Sequence, residues 1–405
     1  MRYQPPQEIL KRYADVLVNF ALGGGRGIKK DEVVHLVCYE AAKPLYAEIK
    51  QAILRAGGHV IPDYRPDSGD RFPFDRTFFE LAKSHQLKFF PRKYARGLVN
   101  QIDHTIFILS EVDLHELEGI NPKKIMTRGL AWKPYMDWRR DKENEGKYTW
   151  TLALYGTEAM AKEAGLSLRT YWDQIIKACF LDKKNPIGEW RGVYRKLEVT
   201  RGKLNALPIE KLHVKGPDAD LFIHLGKKRQ WMGGSGRNIP SFELFTSPDW
   251  RGTQGWIRFN QPLYRYGCLI EGIELWFKEG RVVKAKARKN EKVLKEMIST
   301  KNADRIGEYS LTDKRFSRIT KFMAETLFDE NIGGPNGNTH LALGNSYHDC
   351  YIDDPGELSP EDWERLGFND SSVHTDIIST APRTVTAYMR DGSKRVIYRN
   401  GKFRL

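Results

Sequence analysis

Five short segments in the second half of the chain carry side chains able to hold metal or move protons. They are RNIPSFELFTSPD with Glu243, RIGEYSL with Glu308, LFDENIGGPNGNTH with Glu330 and His340, NSYHD with Tyr347, and SSVHTDIIST with His374 and Asp376. His374 and Asp376 stand two apart in a run with strand character. Side chains alternate along a strand, so both point to one face and can grip one ion. A lone H-x-D arises by chance in a chain of this size, and by itself reads as a hydrogen-bonded structural pair. Val373, Ile377 and Ile378 sharpen the case, because a carboxylate among apolar residues needs a partner. Taken singly, Glu243 and Glu308 read as partly exposed strand glutamates, Glu330 as a loop acid, His340 as a loop histidine and Tyr347 as a packing residue.

Together these groups have a chemical logic. The carboxylates of Glu243, Glu308, Glu330 and Asp376 neutralise two divalent cations, and the imidazoles of His340 and His374 complete their shells. Hard oxygen donors with imidazole and no thiolate suit Zn²⁺, Co²⁺ or Mn²⁺ in an open hydrolytic site better than a closed structural zinc. Two such ions about 3.5–4 Å apart hold and activate one water between them.

The elements that must position these groups are legible in outline. DEVVHLVCYEAAKPLYAEIKQAILRAGGHVIPDY begins with an apolar strand over 33–39, continues as a helix with Leu45, Ile49 and Ile53 on one face, stops at Gly57 and Gly58, and resumes as a strand from His59. That is a βαβ unit. HTIFIL at 104–109 and YTWTLALY at 148–155 read as further buried strands, with helices near 159–164 and 168–180. GGGRG at 23–27 precedes the first strand and lacks phosphate-loop spacing, so it reads as a plain loop. From about residue 205 the texture changes: CLIEGIELWFKEGRVVKAKA is a hairpin turning at 278–281, and RDGS and RNGK are turns between C-terminal strands. The expected fold is an α/β N-terminal domain over 1–205, followed by an α+β, largely β, C-terminal metal-binding domain over 206–405.

Length and composition set the bounds. A chain of 405 residues exceeds the size at which one core keeps growing, so two domains are expected. Hydrophobic residues at 40% and aromatics at 12% exclude a mainly disordered chain. No apolar run approaches a membrane span, and the N-terminus lacks the uninterrupted apolar stretch of a signal peptide. Four scattered cysteines without a C-x-x-C pair indicate reduced thiols, and a cytoplasmic protein is expected. The net charge of +14 is spread among ordinary segments, which argues against nucleic-acid binding.

The five segments, in this order, resemble the aminopeptidase T family of dinuclear metallo-aminopeptidases. NIPSFELFTSPDWRGTQGWIRF, GEYSL, LFDENIGG, THLALGNSY and VHTDII carry the likeness, with HLVCYEAAKPLYAEIKQAILRAGGHV, TWTLALYGTEAMAKEAGLS and DADLFIHLGKKRQW extending it over most of the chain. The resemblance implies a peptide substrate, a metal-dependent exopeptidase and a homodimer with the site facing an internal cavity. It also implies that Glu243, Glu308, Glu330, His340, His374 and Asp376 are metal ligands and that Tyr347 is the catalytic tyrosine; the mechanism expected on that basis has Glu308 as the bridging ligand and Tyr347 donating to the oxyanion. Two departures stand out. The link GGPNGNT between Glu330 and His340 is expanded, and Phe242 occupies the position of a glycine, which would narrow the substrate pocket. A two-metal phosphoesterase or nuclease and a non-catalytic small-ligand-binding protein are the alternative readings. No basic run flanks the ligand segments, which counts against the first.

Overall fold

The computed structural model describes residues 3–69 and 71–405. Val33–Tyr39 is buried at its five central residues, the mark of a parallel strand covered on both faces. The helix Lys43–Arg55 follows, with Pro44 in its first turn and Leu45, Ile49, Ala52 and Ile53 buried along one face. Gly57 ends it at φ +81°, and His59–Arg65 returns parallel to the first strand, Val34 opposite Val60. His104–Leu109 and Thr149–Leu154 extend the same sheet in parallel. The expected helices are Glu158–Glu163 and Leu168–Ala178, the second capped by the Ser167 hydroxyl, which accepts the Thr170 N–H at 3.2 Å. The glycine run near residue 23 turns the chain out of the N-terminal helix, and its Gly23 N–H donates to Thr149 Oγ1 at 3.0 Å.

The second half is mostly antiparallel. Eight strands, from Arg281–Lys286 at one edge to Lys402–Phe403 at the other, form one sheet, and the hairpin expected around 278–281 pairs Glu274–Lys278 with Arg281–Lys286. A separate four-stranded sheet runs His374–Ser379, Asn338–Gly344, Ile306–Thr312, Glu243–Thr246. Both central strands of this small sheet are buried at every residue.

Asn238–Ile239 adds a fifth, parallel strand to the N-terminal sheet beside Leu152 and Ala153, and the chain runs on from there into Glu243–Thr246. A single hydrophobic core includes Leu36 and Ile106 from the first sheet and Tyr309 and Leu341 from the small sheet, so the strands that carry the expected ligands rest on packed apolar side chains. No helix among the described residues is long and apolar enough to cross a membrane.

Candidate metal centre

Strand alternation sorts the small sheet into two faces. Tyr309, Leu311, Leu341, Leu343 and Ile377 point into the core and are at most 1% exposed. Glu243, Glu308, His340, His374 and Asp376 share the other face. Register brings them together: Ala342 pairs with both Asp376 and Glu308, Ser310 with His340, Thr312 with Glu243, and Gly344 with His374. Ala342 leaves room for the two carboxylates beside it to converge. The Ser310 hydroxyl donates to Glu243 Oε2 at 2.6 Å and steers that carboxylate.

Glu330 arrives from outside the sheet. It closes the short helix Thr326–Asp329, its N–H donating to the Thr326 carbonyl at 2.9 Å. The expanded loop then needs two left-handed turns, at Gly334 and Gly337. A Cβ on Gly337 would overlap the Tyr398 hydroxyl, so glycine alone fits there. The loop is thereby anchored, and all six expected ligands meet in one place.

His340 Nε2 lies 3.2 Å from both Glu243 Oε2 and Glu308 Oε1, and 3.8 Å from Asp376 Oδ1. His374 Nε2 lies 3.5 Å from Glu308 Oε2 and from Asp376 Oδ1. Three ligand sets have donor atoms within 4.8 Å of one another: Glu243, Glu308 and His340; Glu308, His374 and Asp376; and Glu330, His340 and Asp376. Glu308, His340 and Asp376 each belong to two of them. His374 Nδ1 donates to the Asn345 carbonyl at 2.8 Å, which turns Nε2 toward the carboxylates as a metal-binding imidazole requires.

The electrostatics fit a cation. Glu243 and Glu308 are 6% and 3% exposed, so the expectation of partly exposed strand glutamates gives way to buried acids. Burial pushes the Glu243 carboxyl up to about 7; Glu308 adds to this and His340 opposes it. Burial, then Glu243, Asp376 and Glu308, raise Glu330 well above the usual carboxylate range. Burial opposes the charge on His340, but Glu243, Glu308 and Asp376 hold it up to about 9. Three buried acids with a fourth, half-buried, beside them call for positive charge among them, and oxygen and imidazole donors without thiolate suit Zn²⁺, Co²⁺ or Mn²⁺.

Tyr347 reaches the same pocket from the loop after Asn338–Gly344. Its N–H donates to Ser247 Oγ at 2.8 Å, and its ring stands edge-on to His374 at 4.8 Å. No hydrogen bond involves its hydroxyl among the described residues. The guanidinium of Arg237 lies 5.3 Å above its ring. Phe242 does not narrow the pocket: strand alternation turns it away from Glu243, and it is fully buried against Trp190, rings 5.3 Å apart.

Several residues at the centre left no local signal in the sequence. Asn238 Nδ2 donates to Glu330 Oε1 at 2.9 Å. Tyr347, His374, Asp376 and Glu330 also border a cavity of about 540 Å³, whose wall includes Lys133, Arg139, Arg140, Arg237 and Arg265. No basic run flanks the ligand segments in sequence, yet the fold brings cations there. Most are neutralised, Arg237 by Glu143 at 2.9 Å and Asp349 at 2.6 Å, so the wall is no polyanion channel.

A family model described as thermophilic metalloprotease (M29) matches residues 6–403. Aminopeptidase PepS of Streptococcus thermophilus is 27% identical over 422 residues, covering 98% of each chain. Aminopeptidase T of Thermus thermophilus is 30% identical over 318 residues, 73% of this chain and 75% of that one. The solved structure of wild-type AmpT from Thermus thermophilus superposes with a TM-score of 0.79 at 25% identity, covering 98% of this chain and 100% of the other. A dihydroxypyridine dioxygenase from Pseudomonas putida, with a TM-score of 0.52 at 12% identity, shares the fold alone.

Proposed function

This chain belongs to the thermophilic metalloprotease (M29) family and is a metal-dependent aminopeptidase, and from that premise we propose that Glu243, Glu308, Glu330, His340, His374 and Asp376 hold two divalent cations, Zn²⁺, Co²⁺ or Mn²⁺. The observation that carries this reading is that Glu308 turns Oε1 to His340 and Oε2 to His374, which suits a bridging carboxylate. When bound, such a pair polarises the scissile carbonyl and lowers the pKa of a water.

The chain's own residues do the rest. The peptide's free α-amino end would be received by one of the ions that these carboxylates hold. His374, oriented through Asn345, keeps Nε2 on the cluster. Tyr347 offers its hydroxyl as a donor where negative charge develops on the carbonyl oxygen. Burial raises the Tyr347 phenol well above its ordinary range, with Glu308 and Asp376 reinforcing the shift, so the donated proton stays in place at neutral pH.

Residues 1–205 form the α/β domain and residues 206–405 the metal-binding domain, and both contribute to the cavity wall; this division is supported by the five-stranded sheet, drawn before residue 205 except at Asn238–Ile239. A homodimer is supported by large apolar side chains exposed close together in sequence, among them Phe72, Phe74, Leu81, Phe89 and Tyr94. Four free cysteines, all buried, suit a cytoplasmic protein. The test removes metal with a chelator, restores Co²⁺, Mn²⁺ or Zn²⁺ singly, and compares a free-amine peptide with its N-acetylated twin. Recovery on the free-amine peptide alone is expected. Full activity after stripping, or equal cleavage of the twins, would overturn the reading.

A further inference from the structure

Five cations border the cavity beside the metal residues, and they are not equivalent. Lys133 and Arg140 share Asp137 and Asp370 at 2.8–3.2 Å. Arg237 is held by Glu143 and Asp349. Arg265 gives Nη2 to the His374 carbonyl at 3.1 Å. Arg139 makes no ion pair among the described residues, and its buried Nε has no hydrogen-bond partner. Glu143, one helical turn further along the helix Lys133–Asn144, gives Oε1 to Arg237 and to Trp150 Nε1.

The Arg139 guanidinium is nonetheless fixed in place. Its central carbon lies 5.1 Å from the Tyr148 ring and 5.5 Å from the Tyr135 ring, stacking that orients the planar fork. Tyr148 is 2% exposed, and its hydroxyl likewise has no partner. Both residues border the cavity that Tyr347, His374 and Asp376 also border. Arg139 is half-buried and lines the cavity with no acid paired to it, so a carboxylate entering there would accept from its guanidinium fork, with Tyr148 packed beside it.

The reaction supplies such a group. A peptide whose amino end lies at the metal residues carries, if unmodified, one further obligatory charge, its C-terminal carboxylate. We propose that Arg139 and Tyr148 anchor the C-terminal carboxylate of short peptides, and so select substrates short enough to lie within the cavity. A volume of about 540 Å³ is in the range of small-ligand sites and excludes a folded chain. The proposal rests on the aminopeptidase activity and makes Arg139 and Tyr148 anchoring residues for specificity, remote from the bond that breaks.

The test compares a tripeptide with its C-terminal amide, by kcat/KM within one enzyme preparation, so that any loss of folded protein cancels from the ratio. Wild type should favour the acid by roughly 10- to 100-fold, mainly through KM. In Arg139→Gln the ratio should fall to about one, with Arg139→Lys and Tyr148→Phe in between, since each keeps one part of the anchor. An amide carrying Glu at its second residue should not recover the acid's KM; recovery would overturn the terminal assignment. Acid and amide cleaved alike by wild type, or an unchanged ratio in Arg139→Gln, would overturn the anchor while leaving the aminopeptidase reading intact. Equal cleavage of the N-acetylated tripeptide would overturn both.

Discussion

Glu308 presents Oε1 to His340 Nε2 at 3.2 Å. Its other oxygen faces His374 Nε2 at 3.5 Å, so one carboxylate is shared between imidazoles on two different strands. Alternation and register impose this: Glu308 and Asp376 both pair with Ala342, and His374 lies two residues from Asp376 on the same strand. A residue so placed serves both halves of the cluster.

Glu308→Ala is therefore expected to keep the fold and lose tight binding of both ions, where loss of a ligand to one ion alone would spare the other. Elemental analysis of the purified variant, with circular dichroism as the fold control, checks this. Two metals retained per chain would remove Glu308 from the bridging position.

Asn238 holds Glu330 through a 2.9 Å hydrogen bond and, among the described residues, hydrogen-bonds no other expected ligand. A partner that orients a ligand typically tunes metal affinity about 10- to 100-fold. Asn238→Ala should weaken metal binding within that range while leaving the cluster able to fill at high metal concentration. Competition against a chelator of known affinity measures it; an unchanged affinity would make the contact incidental.

Much of the centre was legible in the sequence because ligand chemistry is written in residue type. Carboxylates and imidazoles on apolar strands are costly to bury unless a cation or a hydrogen-bond partner meets them, and the βαβ unit announced itself through the helical face of Leu45, Ile49 and Ile53. Long-range contacts were not legible. Arg237 meets Glu143 and Asp349 across 94 and 112 residues, and no local pattern foretells such pairs. Asn238–Ile239 joins the N-terminal sheet through two residues, too short a strand to show a period. Phe242 is a different case: alternation from Glu243 already turns it away from the metal face, but its destination, Trp190, is set by tertiary packing.

Metal uptake should depend on pH in a definite direction. Glu243, raised to about 7, and His340, raised to about 9, both retain protons at neutral pH. Ligation requires the ionised carboxylate and the neutral imidazole, so binding must expel these protons, and affinity should climb from about pH 6 to pH 9 and then level. Calorimetric titration of the stripped protein in buffers of different ionisation enthalpy counts the protons. Release should be greater at pH 6.5 than at pH 9.5; equal release would contradict the assigned protonation.

Tyr347 separates oxyanion stabilisation from packing. Its ring contacts Phe245 at 5.5 Å and His374 at 4.8 Å, and phenylalanine would preserve both contacts. Only the hydroxyl, which no residue among those described engages, would be lost. A donor that acts where charge develops contributes in the transition state and little in the ground state, so Tyr347→Phe should lower kcat with KM and metal content nearly unchanged. Loss of one such donor costs about 10²- to 10³-fold in rate. Steady-state kinetics at verified metal occupancy decides between the two roles. Near wild-type kcat would show that Tyr347 serves only to pack against His374, and the oxyanion would then depend on the metals alone.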